Sequence, residues 1–181
     1  MISSGLPDST VFPDITNYQS PDLNQTMVSG FTCATNVIAV ANYYNRNNYV
    51  DVKGNTQTFS FAEGALSPGS SSGPTRDGRI KPDIAATGGY TMSSGVLSTL
   101  PGKIANATSA TTVAQGGMHV RDGGTSSASP VVAGVAALYL QKNPDATYLD
   151  VKNAILNCAK QDSFTSLNGS LPNNRWGYGK V

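Results

Sequence analysis

The stretch from Asp122 to Pro144, DGGTSSASPVVAGVAALYLQKNP, constrains the fold more than any other part of the sequence. Gly123 and Gly124 lack a β-carbon, so they permit unusual backbone dihedrals and let another segment lie close against them. The small hydroxylated residues and the alanine, valine and leucine run that follow predict a tight turn leading directly into a helix. Because this helix is apolar nearly all round until Gln141, we expect it to be buried inside the domain.

Two residues of this stretch refine the predicted helix. Pro130 is expected in or near the first turn, where a missing backbone N–H costs least. Gly134 would let the helix pack closely against a neighbouring element.

Ser126 is predicted to stand at the entrance of this helix. There the first backbone N–H groups have no partner within the helix, and the helix dipole is positive. An anion that forms beside the Ser126 hydroxyl would meet ready hydrogen-bond donors. The segment GTSSASP can therefore hold a nucleophile, although the same seven letters also fit a small-residue loop.

Bulk properties exclude several classes of function. The chain has 181 residues, which favours one domain with a sizeable core. Its net charge of +1 and its 13% of charged residues argue against a nucleic-acid partner. The longest apolar run is interrupted at Gly134 and ends at Gln141, so no membrane span is expected. The sequence predicts a soluble chain.

Cysteine and histidine are scarce. Cys33 and Cys158 could form a disulfide, but two separate buried thiols are favoured because a core of this size does not need the cross-link. A single histidine and no closely spaced cysteine pair leave no metal site in the pattern.

The rest of the chain alternates strand and helix signals. The run NVIAVA, residues 36–41, is apolar on both faces and predicts a central parallel strand. Residues 45–55 read as a polar turn region and residues 56–62 as a strand with one exposed face, whereas residues 95–117 show only weak periodicity. Residues 1–30 carry no export signal and predict an irregular surface segment. Together these signals predict an α/β layer fold.

A second helix is expected after Pro144. Thr147 and Asp150 resemble a capping pair at its start. Residues at helical spacing would pack one face against the domain, namely Leu149, Val151, Ala154, Ile155 and Cys158. Lys152 is expected to point outward.

His119 and Asp83 are the remaining candidates for catalytic roles. His119 is the sole histidine, but it lies only seven residues before Ser126, on the strand that feeds the turn. The chain would have to double back for its ring to reach the hydroxyl, so an ordinary surface histidine is favoured. For Asp83, a hydrogen-bonded carboxylate that is buried or lies in a turn is favoured over a catalytic one.

Four blocks carry a resemblance to a known family. The pattern G-T-S-x-A-x-P-x-V-A-G begins at Gly124, and it is preceded by SSSGPTRDGRIKPDIAATG at 70–88 and ATNVIAVANY at 34–43. The chain ends in WGYGKV. These blocks, in this order, resemble the subtilisin-like serine proteases, or subtilases.

The resemblance implies a fold and a set of site residues. It implies a partial subtilisin-like three-layer sandwich, with a mainly parallel sheet and helices on both faces, in which residues 1–181 are the C-terminal portion of a catalytic domain. Within residues 95–117 it implies loops and a β-hairpin. It also implies a serine endopeptidase acting on polypeptide substrates. Ser126 would be the nucleophile and an oxyanion donor, Thr125 would support the oxyanion, and Gly123 and Gly124 would border the specificity pocket.

The family's histidine, aspartate and asparagine motifs are not found in residues 1–181. We therefore expect this chain to be inactive alone and to depend on an N-terminal half supplied in cis or in trans, or to associate with itself. A non-catalytic binding or scaffold role is the alternative. No cofactor is predicted, although the family admits calcium sites. The resemblance implies an extracellular or periplasmic location, with no nucleic-acid or membrane partner.

Overall fold

A computed structural model describes residues 7–18 and 27–181 of the chain. The strands are β1 (Val40–Tyr44), β2 (Asn48–Val50), β3 (Thr56–Thr58), β4 (Ile84–Gly89), β5 (Thr91–Ser94) and β6 (His119–Asp122). The helices are α1 (Leu100–Ala105), α2 (Ala107–Ala110), α3 (Thr125–Lys142) and α4 (Tyr148–Asn157). Short 3-10 turns cover Pro13–Asn17, Gly30–Thr32 and Thr165–Asn168.

β1 and β4 pair in parallel and form the buried centre of the fold. Their register aligns Val40 with Ile84 and holds as far as Tyr43 and Thr87, after which it shifts by one residue so that Tyr44 pairs with Gly89. The parallel strand predicted at 36–41 is present but begins later, at Val40. The backbone just before it is held by side chains, because Lys81 Nζ binds the Val37 carbonyl at 2.8 Å and Asp83 accepts the Ala39 N–H at 2.7 Å.

The predicted α/β class is confirmed, with α3 lying on one face of the parallel pair. The core between α3, α4 and the strands consists of Ile84, Ala86, Ala128, Val132, Val151 and Ile155. On the opposite face, Trp176 packs against Ala41 and Ala85. Trp176 is fully buried, and its Nε1 donates to Asn168 Oδ1 at 2.9 Å.

α3 is not buried all round, so that prediction is wrong. Only Ala128 and Val132 are fully buried, whereas one complete face of the helix is exposed. A β-carbon on Gly134 would meet no atom of the described residues within 4 Å, so the expected close packing at Gly134 is not seen there. Pro130 lies inside the helix, past the first turn. An apolar sequence predicts that a helix will be covered, but it does not specify what covers it.

Two segments predicted to be irregular contain regular structure. β2 lies within residues 45–55 and pairs antiparallel with β3. Within 95–117 the chain forms α1 and α2, while the expected hairpin pairing is made by β5 and β6. The side chain of Asn106 caps α2 by accepting the N–H groups of Thr108 and Ser109.

α4 begins as predicted. Thr147 and Asp150 form a reciprocal capping box, in which each side chain accepts the other residue's backbone N–H. Val151 and Ile155 are buried as expected, but Leu149 and Cys158 are exposed. Cys33 and Cys158 are free thiols.

Asp83 is a structural carboxylate at the start of β4. Its two oxygens lie 2.5 Å from Lys81 Nζ and 2.9 Å from Lys152 Nζ. Lys152 therefore points inward, contrary to the prediction, and also donates to the Thr35 carbonyl at 2.9 Å. The cluster of Asp83, Lys81 and Lys152 thus connects α4 and the backbone before β1 to the start of β4.

Among the described residues, no helix combines the length and apolar character that crossing a bilayer requires.

Candidate active site

The turn before Ser126 is fixed by its two glycines. Gly124 is the N-cap of α3 and has φ 103°, a conformation that favours glycine. Its N–H donates to the Gly88 carbonyl at 2.9 Å. A β-carbon on Gly123 would lie 3.1 Å from that carbonyl oxygen, so the turn lies close against β4, as the sequence predicts.

Ser126 lies in the first turn of α3 and is exposed. The N–H groups of Ser127 and Ala128 donate to the Gly124 carbonyl at 3.0 and 3.2 Å. Those of Thr125 and Ser126 find no acceptor in the part of the chain that the structure describes. The Ser126 hydroxyl therefore stands beside unsatisfied donors at the positive end of an 18-residue helix.

Two cavities meet at Ser126. One, of about 300 Å³, is lined by Ile38, Pro82, Thr125, Ser126 and Ser129, among others. The other, of about 410 Å³, is lined by Arg46, Asp122, Ser126 and Ser127, among others. A chain lying across the mouth of α3 would thus find space on both sides of the hydroxyl.

His119 does not join this site. It is exposed at the first position of β6, where it pairs with Ser94 of β5. Ser126 lies beyond the other end of that strand, and a four-residue strand alone spans roughly 10 Å. No hydrogen bond links His119 to Ser126 in the described residues, in keeping with the sequence-based preference for a surface histidine.

The structure thus brings together Gly123, Gly124, Thr125 and Ser126, but neither Asp83 nor His119. Within residues 7–18 and 27–181, no three His, Cys, Asp or Glu side chains are grouped so that they could hold a metal ion.

Sequence reasoning missed a third cavity beside the glycine turn. This cavity, of about 340 Å³, is lined by Asn42, Tyr90, Arg121, Asp122 and Gly124, among others. Asn42 directly follows the apolar run VIAVA, residues 37–41, and is the central residue of β1. A polar amide in the middle of a buried strand is the signal that could have found it.

Comparisons with known proteins find a matching family, related sequences and a related structure. Residues 14–179 match the model of the subtilase family, Peptidase_S8. Serine protease AprX of Bacillus subtilis (strain 168) is 39% identical over 88 residues, which are 49% of this chain and 19% of AprX. The uncharacterized protein aq_aa18 of Aquifex aeolicus (strain VF5) is 38% identical over 107 residues, which are 59% of this chain and 45% of that protein. This chain spans less than half the length of either relative.

A solved structure shows the same fold. The CspB protease of Clostridium perfringens superimposes with a TM-score of 0.55 at 22% identity, over 87% of this chain and 27% of that chain. Because the family model spans almost all of the sequence, the chain belongs to the subtilase family.

Proposed function

We propose that this chain carries the nucleophile of a serine endopeptidase and that Ser126 is that nucleophile. The observation that supports this most is the exposed hydroxyl at the mouth of α3, beside N–H groups that no described acceptor occupies. Ser126 Oγ would attack a peptide carbonyl and pass its proton to a base, while the Ser126 N–H stabilises the oxyanion. The base would then protonate the leaving amine, and water would hydrolyse the acyl-enzyme.

In this proposal, residues 1–181 do not supply the base that accepts the Ser126 proton. The sole histidine, His119, is placed apart from Ser126 on β6. We infer that a histidine, its aspartate and a further oxyanion donor come from polypeptide outside these residues. In subtilisin, loss of the histidine alone lowers turnover about a millionfold. Residues 1–181 alone are therefore proposed to be inactive.

The exposed face of α3 supports this dependence on a further polypeptide. Pro130, Ala133, Ala137 and Leu140 are exposed and follow Ser126 at alternating spacings of four and three residues, which places all five on one line along the helix. We call these four residues the α3 stripe. These side chains are apolar and two of them are alanines, so another helix could pack closely against them. A segment covering the stripe would reach Ser126 at its end.

A binding or scaffold role is the second candidate. The same α3 stripe favours it, because an uncovered apolar helix face can bind a second copy as well as a catalytic half. The two candidates differ in whether Ser126 becomes reactive when the stripe is covered.

A fluorophosphonate probe tests the proposed function. We expect no labelling of residues 1–181 alone, and labelling of Ser126 after addition of a subtilase N-terminal segment that carries the aspartate and histidine motifs. Ser126→Ala should abolish the labelling. Ser98→Ala, which removes an exposed hydroxyl that lines none of the cavities at Ser126, should leave it intact.

Each outcome decides between the candidates. Labelling of residues 1–181 alone would show that a base is present within them, and would overturn the proposed dependence. Failure to label with a segment that demonstrably binds would favour the scaffold role.

A further inference from the structure

Arg46 lines the cavity of about 410 Å³ that also contains Ser126, and we call this space the Arg46 cavity. The backbone beside Arg46 is tied to the end of β4. The Asn45 N–H donates to the Gly89 carbonyl at 3.0 Å, one residue after the carbonyl that accepts the Gly124 N–H. The segment that carries Arg46 and the turn that carries Ser126 are thus fixed at the same end of the same strand.

The Arg46 guanidinium has no partner among the described residues. It takes part in none of their ion pairs and lies over none of their aromatic rings. Its Nε is fully buried and unpaired, whereas the two terminal nitrogens are unpaired but not enclosed. The terminal nitrogens are therefore free to bind a group that enters the cavity. Because the side chain is partly buried, water solvates its charge incompletely.

One carboxylate also lines the Arg46 cavity. Asp122 is exposed, its Oδ1 accepts the Gly123 N–H at 2.8 Å, and it makes no ion pair with Arg46. Glu63, which accepts the Asn47 N–H at 3.2 Å, does not pair with Arg46 either. Water and a backbone donor already stabilise the Asp122 carboxylate, but no described group stabilises the arginine. The arginine therefore gains more from a bound partner of opposite charge.

A carboxylate is the group that a free arginine fork binds best in a polypeptide. Two parallel N–H groups of the guanidinium donate to its two oxygens, whereas a neutral amide offers a single oxygen and an ammonium group is repelled. Met92, Pro130 and Val131 also line the cavity, so the methylene groups of an acidic side chain can pack against an apolar wall.

We propose that Arg46 binds the side-chain carboxylate of a glutamate or aspartate in the polypeptide that Ser126 attacks. The inference rests on the proposed function for its choice of ligand, because the same cavity contains the nucleophile. The cavity of about 300 Å³ that also meets Ser126 has no charged residue in its described lining. Arg46 therefore sets substrate preference on one side of the scissile bond.

Peptide binding tests the proposal without requiring turnover. The probes are four acetylated alanine pentapeptides with N-methylamide ends, which carry glutamate, glutamine, lysine or alanine at the centre. A fifth peptide, of alanine alone, ends in a free carboxylate and tests that other source of the anion. Dissociation constants are measured by NMR titration of the full chain bearing Ser126→Ala. We expect the glutamate peptide to bind about tenfold more tightly than the other four, as one charge-assisted pair predicts.

Variants of Arg46 identify the group responsible. Arg46→Gln should remove the glutamate preference, and Arg46→Glu should reverse it, so that the lysine peptide binds more tightly than the glutamate peptide. Arg76→Gln is the control, because it removes the same charge at an exposed position that lines neither cavity at Ser126, and it should preserve the preference.

A salt titration tests the same pair if neither Arg46 variant folds. Raising the salt concentration from about 0.05 M to about 1 M should weaken binding of the glutamate peptide and leave the glutamine peptide unchanged, because salt screens the charges. Equal binding of these two peptides, a preference that Arg46→Gln leaves unchanged, or tighter binding of the peptide with the free end overturns the proposal.

The outcomes separate this inference from assembly and from the proposed function. If Arg46→Gln weakens association with the N-terminal segment but leaves the peptide preference unchanged, Arg46 pairs with the catalytic half and the proposal is overturned. Fluorophosphonate labelling of Ser126 without any glutamate preference overturns the inference and leaves the peptidase function standing. A glutamate preference without labelling under any condition supports the Arg46 cavity and overturns the peptidase function.

Discussion

The Gly124 N–H donates to the Gly88 carbonyl at 2.9 Å, and this bond ties the turn before Ser126 to the carboxyl end of β4. The two glycines lie so close that a β-carbon on Gly88 would stand 2.4 Å from the Gly124 carbonyl oxygen. The obstructing atom belongs to the backbone, so it cannot move aside as a flexible side chain could. The position of Ser126 therefore depends on the absence of a side chain at Gly88, although β5, α1, α2 and β6 lie between the two residues in the chain.

Gly88→Ala should destabilise the chain and displace the turn. Relief of the clash requires β4 and the start of α3 to separate, and overpacking of this kind costs about 1–3 kcal/mol. The loss is measured as a lower urea midpoint for unfolding. Gly102→Ala is the matched control, because its β-carbon would meet no atom within 4 Å and a helical alanine is favoured by up to about 1 kcal/mol. Equal stability of Gly88→Ala and the wild type would contradict the close approach of the two segments.

Asp83→Ala should be among the most damaging single substitutions in the chain. It leaves the ammonium groups of Lys81 and Lys152 without the carboxylate that neutralises them, and the Lys81 side chain is only 3% exposed. Loss of one partner from a buried ion pair costs about 3–5 kcal/mol. The free energy of unfolding, from chemical denaturation, measures the effect.

Asp77→Ala is a control for Asp83→Ala. Asp77 pairs with Arg79 at 2.8 Å, but the Asp77 side chain is 62% exposed and that of Arg79 is 40% exposed, so this pair is far less buried than the Asp83 cluster. Exposed pairs contribute little because water and salt screen them. A loss of stability in Asp77→Ala as large as that in Asp83→Ala would show that burial is not the cause.

Local chemistry is the part of the structure that the sequence predicts well. The Thr147–Asp150 capping box and the positive φ of Gly124 each depend on residues adjacent in sequence. The side chains that decide them are within reach whatever the rest of the fold does. The same holds for the placement of Ser126 at a helix entrance.

Long-range contacts are the part that the sequence could not predict. β1 starts at Val40 instead of residue 36 because Lys81 and Asp83, far along the chain, bind the backbone before it. Lys152 turns inward for the same carboxylate. The cavity lined by Asn42 and Arg121 forms only because β1, β4 and β6 lie side by side. No local pattern specifies which distant charge a lysine will find.

The capping box makes the stability of α4 depend on pH. The Thr147 hydroxyl, followed by the Thr147 N–H, donates to the Asp150 carboxylate and lowers the pKa of that carboxyl below its ordinary 3.8. A carboxyl with a lowered pKa in the folded state stabilises that state above its ordinary pKa. The contribution is lost as the pH falls through the lowered value.

Asp150→Asn should therefore be less stable than the wild type at neutral pH and nearly equal to it at about pH 2. Thermal unfolding followed by circular dichroism over this range measures the difference. Asp145→Asn, at an exposed residue just before the cap, provides the control for removing one negative charge. A wild-type advantage that stays constant over the whole range would contradict a role for the ionised Asp150 carboxylate.

The α3 stripe makes a prediction that separates stability from assembly. Ala137→Lys places a charge in the middle of the stripe, where the side chain faces solvent in this chain. Lysine is a good helix former, and surface substitutions usually change stability by less than about 0.5 kcal/mol, so residues 1–181 should unfold at nearly the same urea concentration. If a catalytic half packs on the stripe, the buried ammonium should weaken that association at least tenfold and reduce fluorophosphonate labelling in proportion. Asn153→Lys, on the exposed face of α4, adds the same charge away from the stripe and should leave both unchanged. Undiminished association of Ala137→Lys would mean that the partner binds elsewhere, and that α3 presents its apolar face to solvent even in the assembled protein.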